Sequence, residues 1–387
     1  MQSIRDAQLV VRAREVEFMK TYEVLLPLSL VGLLAVGCDR QASLGEAGDP
    51  AEVGDGDREV DDGTGNGDGD ARNEDDSDTR EDGGTGGSVG GDRDGGSTVG
   101  AGGDGDAPTP GTCETLPPVN DYAAPGPFGD AKMFEGVGPS SNYTLFRPDA
   151  SLGRDGFKHP IATWGNGIAT QPYLYQETLK LIASHGFVII ACNDTMAERP
   201  CLSDGLDWLI MQNESGAMKG KLDTSREATI GYSWGGGAAI DTANRPNVKT
   251  TVSIHGMPPR GDTAFEDMHS PLILFTSTGD TFVTASGYVT PNYEKSTVQT
   301  FYATLQDANA GHLYPLDPNP TFCPIAGIAI PQAGGDMQCR GMEAERAPII
   351  AWLRLWTCGD QAARKFFFGD DCALCSSPWS SQHKHWM

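Results

Sequence analysis

Phe187-Val188-Ile189-Ile190-Ala191-Cys192 runs six residues without a polar position. A strand with one wet face alternates apolar and polar residues, so an unbroken run of this length predicts a strand buried on both faces. The residues before it follow another period. Across 172–185, Tyr175, Leu179 and Ile182 recur at helical spacing, and Gly186 supplies a natural stop. The same exchange of periods continues along the chain. Strands are predicted at 159–164, 227–230, 250–254, 271–276 and 300–305, and helical stretches at 206–211, from 235 onward and at 344–356. Strands alternating with helices predict an α/β protein whose mostly parallel central sheet has helices on both faces. Residues 132–136 and 143–147 precede the first helix and read as an antiparallel lead-in. The residues around His383 and His385 read as a polar tail, and no internal repeat is visible.

A different pattern occupies the first hundred residues. Residues 24–36 form a mostly apolar run, short for a bilayer span and right for a signal-peptide core, with Lys20 as its positive end. The run stops at Ala35-Val36-Gly37-Cys38, which resembles a bacterial lipobox whose cysteine receives lipid. Residues 1–38 are therefore expected to be a signal region, with Met19-Lys20 the more natural start. Cys38 is the expected lipidation site of an exported lipoprotein held on a membrane by that anchor alone; a plainly secreted protein is the alternative.

Composition then separates a tether from a domain. Residues 39–111 hold 21 acidic residues, 5 basic residues and 21 glycines, with no Phe, Trp, Tyr, Ile or Met. Such a segment cannot bury enough apolar surface to offset its ordering entropy and is expected to be a disordered, self-repelling linker. Its Asp-Gly steps never complete a calcium loop with a closing Glu. Aromatic residues and isoleucine return after Gly111, so 112–387 is expected to be one catalytic domain, a monomer. That part is also net negative, which disfavours nucleic acid as a partner. Of nine cysteines, Cys38 aside, eight remain, an even number that suits disulfides in an exported chain. Cys192 with Cys201 and Cys323 with Cys339 suit local pairs; Cys113, Cys358, Cys372 and Cys375 are left without an assignment. Cys372-Ala-Leu-Cys375 has no second half at zinc-finger spacing, so no metal is expected.

The chemistry centres on Gly231-Tyr232-Ser233-Trp234-Gly235. This G-x-S-x-G lies between a predicted strand and a predicted helix, where a strained serine needs small neighbours because strand and helix approach closely. Ser233 is the expected nucleophile. In a fold that runs Ser, then acid, then His, the partners follow by elimination. His159 and His185 precede the serine, His255 and His269 precede the best acid, and His383 and His385 lie in the tail. His312 remains, in the loop after strand 300–305, a carboxyl-end loop of the kind that carries sites. Asp280, in Ser277-Thr-Gly-Asp-Thr after strand 271–276, is the expected acid. An oxyanion hole needs two donors: the Trp234 N–H and one from Gly165-Asn166-Gly167-Ile168, with Ile168 preferred and Gly167 next. Asn166 and Gly167 are also expected to touch substrate.

With these residues in view the chain resembles the polyester-hydrolase, bacterial cutinase and lipase branch of the α/β-hydrolases, related to dienelactone hydrolases, over roughly residues 133–356. The likeness is carried by Leu181-Ile-Ala-Ser-His-Gly-Phe-Val-Ile-Ile, Gly231-Tyr-Ser-Trp-Gly-Gly-Gly, Thr278-Gly-Asp-Thr and Ala310-Gly-His312, and by the intervals from Ser233 to Asp280 and from Asp280 to His312. It implies an α/β-hydrolase fold, the triad Ser233, Asp280 and His312, Ile168 as second oxyanion donor, and no cofactor. Where the family carries a cleft-lining Trp, this chain reads His255-Gly-Met257-Pro-Pro-Arg, which makes Met257 a substrate contact and favours a general esterase over a polymer-degrading one. The expected function is carboxylic-ester hydrolysis of a small-molecule, lipid or polyester substrate. The competing reading is a surface lipoprotein that uses a hydrolase fold only to bind.

Overall fold

The computed structural model describes Cys113 and residues 116–385. The signal region, Cys38 and the linker at 39–111 lie outside the described residues.

Nine strands form one sheet: β1 (Ala131–Val137), β2 (Tyr143–Pro148), β3 (His159–Gly165), β4 (Val188–Cys192), β5 (Leu222–Tyr232), β6 (Val248–Ile254), β7 (Leu272–Ser277), β8 (Thr300–Leu305) and β9 (Trp379–Lys384). Their order across the sheet is β1-β2-β4-β3-β5-β6-β7-β8-β9. β4 to β8 are mutually parallel along this order, while β1, β2 and β9 run antiparallel to their neighbours. The main helices are α1 (Gln176–Ser184), α2 (Arg199–Glu214), α3 (Trp234–Thr242), α4 (Thr290–Lys295), α5 (Phe322–Ala329) and α6 (Arg346–Cys358). None of the described helices is long and apolar enough to cross a membrane.

The unbroken apolar run at β4 is explained by what covers it. Val188, Ile190 and Cys192 join one buried cluster with Leu202, Leu206 and Leu209 of α2 and Ala238 and Ala239 of α3. Ile189 and Ala191 join another with Leu179 and Ile182 of α1 and Ile349 to Leu353 of α6. Successive side chains point to opposite faces, so a strand between two helical layers needs apolar residues at every position. The expected α/β-hydrolase architecture is the one observed.

Two local expectations change. The helical stretch at 206–211 extends from Arg199 to Glu214, since Leu202, Gly205, Leu206 and Leu209 form its buried stripe and the polar residues between them face outward. The polar tail holding His383 is strand β9, paired with β8 from Trp379 opposite Leu305 to Lys384 opposite Thr300. An edge strand draws its stability from backbone pairing, and five of its six residues are partly or fully exposed, so hydropathy does not mark it.

Four disulfides are present: Cys192–Cys201 and Cys323–Cys339, as expected, with Cys113–Cys358 and Cys372–Cys375. Four bridges in one domain fit an oxidising compartment and hence export. Cys192–Cys201 ties the end of β4 to the first turn of α2, and Cys113–Cys358 ties the chain entering the domain to the end of α6.

Candidate active site

Ser233 sits between the end of β5 and the start of α3 with φ of 55° and ψ of −117°. A non-glycine residue there costs roughly 1–3 kcal/mol, and the surroundings must hold it. They do so through the backbone. The Ser233 N–H donates to Ile254 O of β6 at 2.9 Å, and the Ser233 carbonyl accepts from Met257 N–H at 2.9 Å. The flanking glycines have a steric cause. A Cβ on Gly231 would lie 2.0 Å from Gly235 O, and one on Gly235 would lie 2.1 Å from Gly165 O. Strand β5, helix α3 and the end of β3 therefore meet at a distance that only glycine permits.

His312 lies in the loop after β8. Its Nε2 is 2.9 Å from Ser233 Oγ, and its Nδ1 is 2.7 Å from Asp280 Oδ2. All three residues are buried, with 4–5% of their surface exposed. The His312 N–H donates to Ala333 O at 2.7 Å, and the Tyr232 hydroxyl donates to its carbonyl. Phe282 and Tyr232 pack their rings 5.0 and 5.1 Å from the imidazole. Asp280, in the loop after β7, bridges to Gly334, and the Cys323–Cys339 disulfide encloses the segment that supplies both Ala333 and Gly334. The loops carrying Asp280 and His312 are thus braced by one disulfide-closed segment.

Asp280 accepts four hydrogen bonds. Oδ1 takes the N–H groups of Phe282 at 3.0 Å and Val283 at 2.8 Å, and Oδ2 takes His312 and, at 2.8 Å, His255 Nδ1. Burial by itself would raise this carboxyl. The charge of His312 and hydrogen bonds from both imidazoles outweigh it and hold the group well below the usual carboxylate range. On the far side of His255, Nε2 is 3.2 Å from Glu345 Oε1 at the start of α6. Elimination by chain order had set His255 aside, and Glu345 carried no signal. The order rule selects the residue that touches the serine, and His255 touches the acid instead. Its position directly after β6, at the carboxyl rim of the sheet, was the one signal available.

The loop after β3 comes up against the serine. A Cβ on Gly167 would be 2.8 Å from the Tyr232 ring and 3.3 Å from Ser233 Cβ. Among the described residues, neither Ile168 N–H nor Trp234 N–H donates a backbone hydrogen bond. Asn166 turns inward: its fully buried side chain accepts from Trp164 Nε1 at 2.9 Å and donates to the Cys192 carbonyl at 2.5 Å, which braces the loop. Met257 is buried as well, and its carbonyl accepts from Asn292 at 3.2 Å. Trp234 is half-buried, its indole capped by the Arg260 guanidinium at 3.3 Å, and Asp241 of α3 fixes that loop through the N–H groups of Arg260 and Gly261.

His255, Asp280 and His312 bring metal-ligand types within 4.8 Å of one another, as do Cys192, Asp194 and Cys201. In the first group both imidazoles point at one carboxylate oxygen, and in the second both sulfurs are committed to a disulfide. Neither arrangement has donors turned toward a common empty point.

A serine at a strand–helix elbow, an acid and a histidine on the next carboxyl-end loops, and a mostly parallel sheet with helices are the arrangement of the α/β-hydrolase fold. Within it, residues 175–330 match the PETase family model, described as PET hydrolase-like, as the resemblance implied. That span includes Ser233, Asp280 and His312 and excludes Ile168 and Glu345. Similar curated proteins include Cutinase est1 of Thermobifida alba, 31% identical over 36% of this chain and 49% of its own length. Cutinase cut1 of Thermobifida fusca is 29% identical, with 36% of this chain and 44% of its own length covered. A bis(hydroxyethyl) terephthalate hydrolase of Streptomyces coelicolor is 26% identical over 36% of this chain and 46% of its own length. The chain thus spans about half the length of the curated relatives it matches.

Proposed function

We propose that the chain is a serine carboxylic-ester hydrolase whose triad is Ser233, His312 and Asp280. One observation carries the reading: the unbroken hydrogen-bonded row from Ser233 Oγ through His312 to Asp280 Oδ2, at 2.9 and 2.7 Å. His312 Nε2 removes the hydroxyl proton as Ser233 Oγ attacks the ester carbon. Asp280 keeps the other ring proton on Nδ1 and stabilises the imidazolium. The oxyanion forms against the N–H groups of Trp234 and Ile168. Collapse expels the alcohol, protonated by His312, and leaves an acyl group on Ser233. Water, activated by the same imidazole, then releases the acid. Names of the relatives support cutin-like and terephthalate esters as substrates to try first.

The test uses p-nitrophenyl esters of graded chain length, bis(hydroxyethyl) terephthalate and a serine-reactive phosphonate. Hydrolysis of at least one ester, with the phosphonate recovered on Ser233, is the expected result. No hydrolysis of any ester, or a label on another residue, overturns the reading.

The sequence ahead of the domain supports an exported enzyme tethered through lipid on Cys38, with residues 39–111 as its spacer. Labelled palmitate should enter the protein in a bacterial host and be lost in Cys38→Ala; equal labelling of both forms would refute the anchor.

A further inference from the structure

A second imidazole lies behind the proposed triad, and the mechanism above makes no use of it. His255 follows β6 at the same rim of the sheet as the nucleophile, fully buried, with φ of 45°. That conformation is unfavourable for a side chain with a Cβ and has to be held. Its N–H donates to Phe275 O of β7 at 2.8 Å. The ring spans two carboxylates, Asp280 on Nδ1 and Glu345 on Nε2, and both carboxylates are as buried as the ring itself.

The charge of this ring follows from counting protons. A neutral imidazole has one N–H, so one of the two carboxylates would face a bare nitrogen lone pair in a dry site. An imidazolium has two and gives each carboxylate one donor, although Glu345 Oε2 stays buried without a partner. Burial works against charge on His255. The charge of Glu345 and the hydrogen bonds that the ring donates to Asp280 and Glu345 outweigh it and raise the ring to about 10. The other titratable rings facing it are His312, 6.3 Å away between centroids, and Tyr232, 6.5 Å away. Beyond Glu345 stands Tyr314, whose hydroxyl is pushed up by burial and then by that carboxylate.

A cation on Asp280 Oδ2 has two consequences for the site. The carboxylate is gripped from every side, by two peptide N–H groups on Oδ1 and two imidazoles on Oδ2, so its angle to His312 is fixed before substrate arrives. His255 also draws on the charge that would otherwise attract a proton to His312. We propose that His255, charged and backed by Glu345, is a positioning residue for Asp280 that keeps His312 a neutral base to lower pH than an isolated Ser-His-Asp row would. This rests on the esterase reading.

The experiment compares pH profiles of kcat/KM for p-nitrophenyl butyrate in the wild type and in His255→Gln. The glutamine amide still donates one hydrogen bond but carries no charge. The acid limb should move up by about one pH unit, the size of effect expected from removing one adjacent charge, while KM stays within about twofold. An acid limb that coincides with that of the wild type overturns the proposal, whatever happens to kcat. If the variant does not fold, nitrogen NMR of the wild type labelled in its histidine rings decides the matter. Both ring nitrogens of His255 should be protonated throughout pH 6–8, and a neutral tautomer there, with the proton on Glu345, overturns the proposal. The two readings fail separately. An active wild type with an unmoved limb in the variant removes the role of His255 alone, and a wild type inert toward every ester removes the esterase reading and this role together.

Discussion

Ser233→Ala should lower kcat/KM toward p-nitrophenyl butyrate by about 100,000-fold or more, the scale found when a triad serine or histidine is removed. Its melting temperature should stay within a few degrees of the wild type. The size of the loss comes from the site's economy. Without Oγ there is no acyl-enzyme, and His312 Nε2, 2.9 Å from that oxygen in the wild type, is left facing a methyl group. What remains is attack by water on an ester held by the Trp234 and Ile168 N–H groups. The fold should tolerate the change, because the backbone bonds to Ile254 and from Met257 do not involve the side chain. Activity within tenfold of the wild type, in protein free of contaminating esterase, would defeat the nucleophile assignment.

Asp280→Asn should lower kcat by about 10,000-fold with KM little altered. The amide presents an N–H toward one imidazole where the carboxylate accepted from two. His312 can then keep its proton on Nε2, toward Ser233, which is the wrong tautomer for a base. The same variant tests stability. In the folded protein the Asp280 carboxyl lies below its ordinary value of 3.8. A depressed acid contributes stability that is fully present above the unfolded value and is lost as pH falls through the folded one. Wild-type melting temperature should therefore drop as acid takes the solution below about pH 4, and Asp280→Asn, already without that contribution, should show a shallower drop. Parallel acid profiles for the two proteins would show that the buried charge network contributes nothing to folding.

Both expectations depend on residues legible in the chain before any fold was known. Gly231-Tyr-Ser-Trp-Gly could be read because a strained elbow tolerates so few residue types. Asp280 and His312 could be read because each leaves a predicted strand at its carboxyl end. The sheet's core strands were legible for a related reason: burial on both faces removes polar residues and leaves an unmistakable run. β9 was illegible because backbone pairing with β8, not hydropathy, makes it a strand. The inward turn of Asn166 was illegible because a polar residue beside a glycine loop looks the same in sequence whether its amide is exposed or, as here, bonded to the Cys192 carbonyl.

Sequence alone determined the core strands of the sheet, most of the helices that cover it, the loops that carry Ser233, Asp280 and His312, and two of the four disulfides, since each depends on local pattern or on its place in the order of elements. Tertiary structure alone decided that His255 and Glu345 meet, 90 residues apart, beneath Asp280. Neither side chain lies in a motif, and each had an ordinary reading as a loop histidine or a first-turn glutamate. A charge network exists only where packing removes water and brings the groups within hydrogen-bond reach, and no one-dimensional pattern encodes that distance.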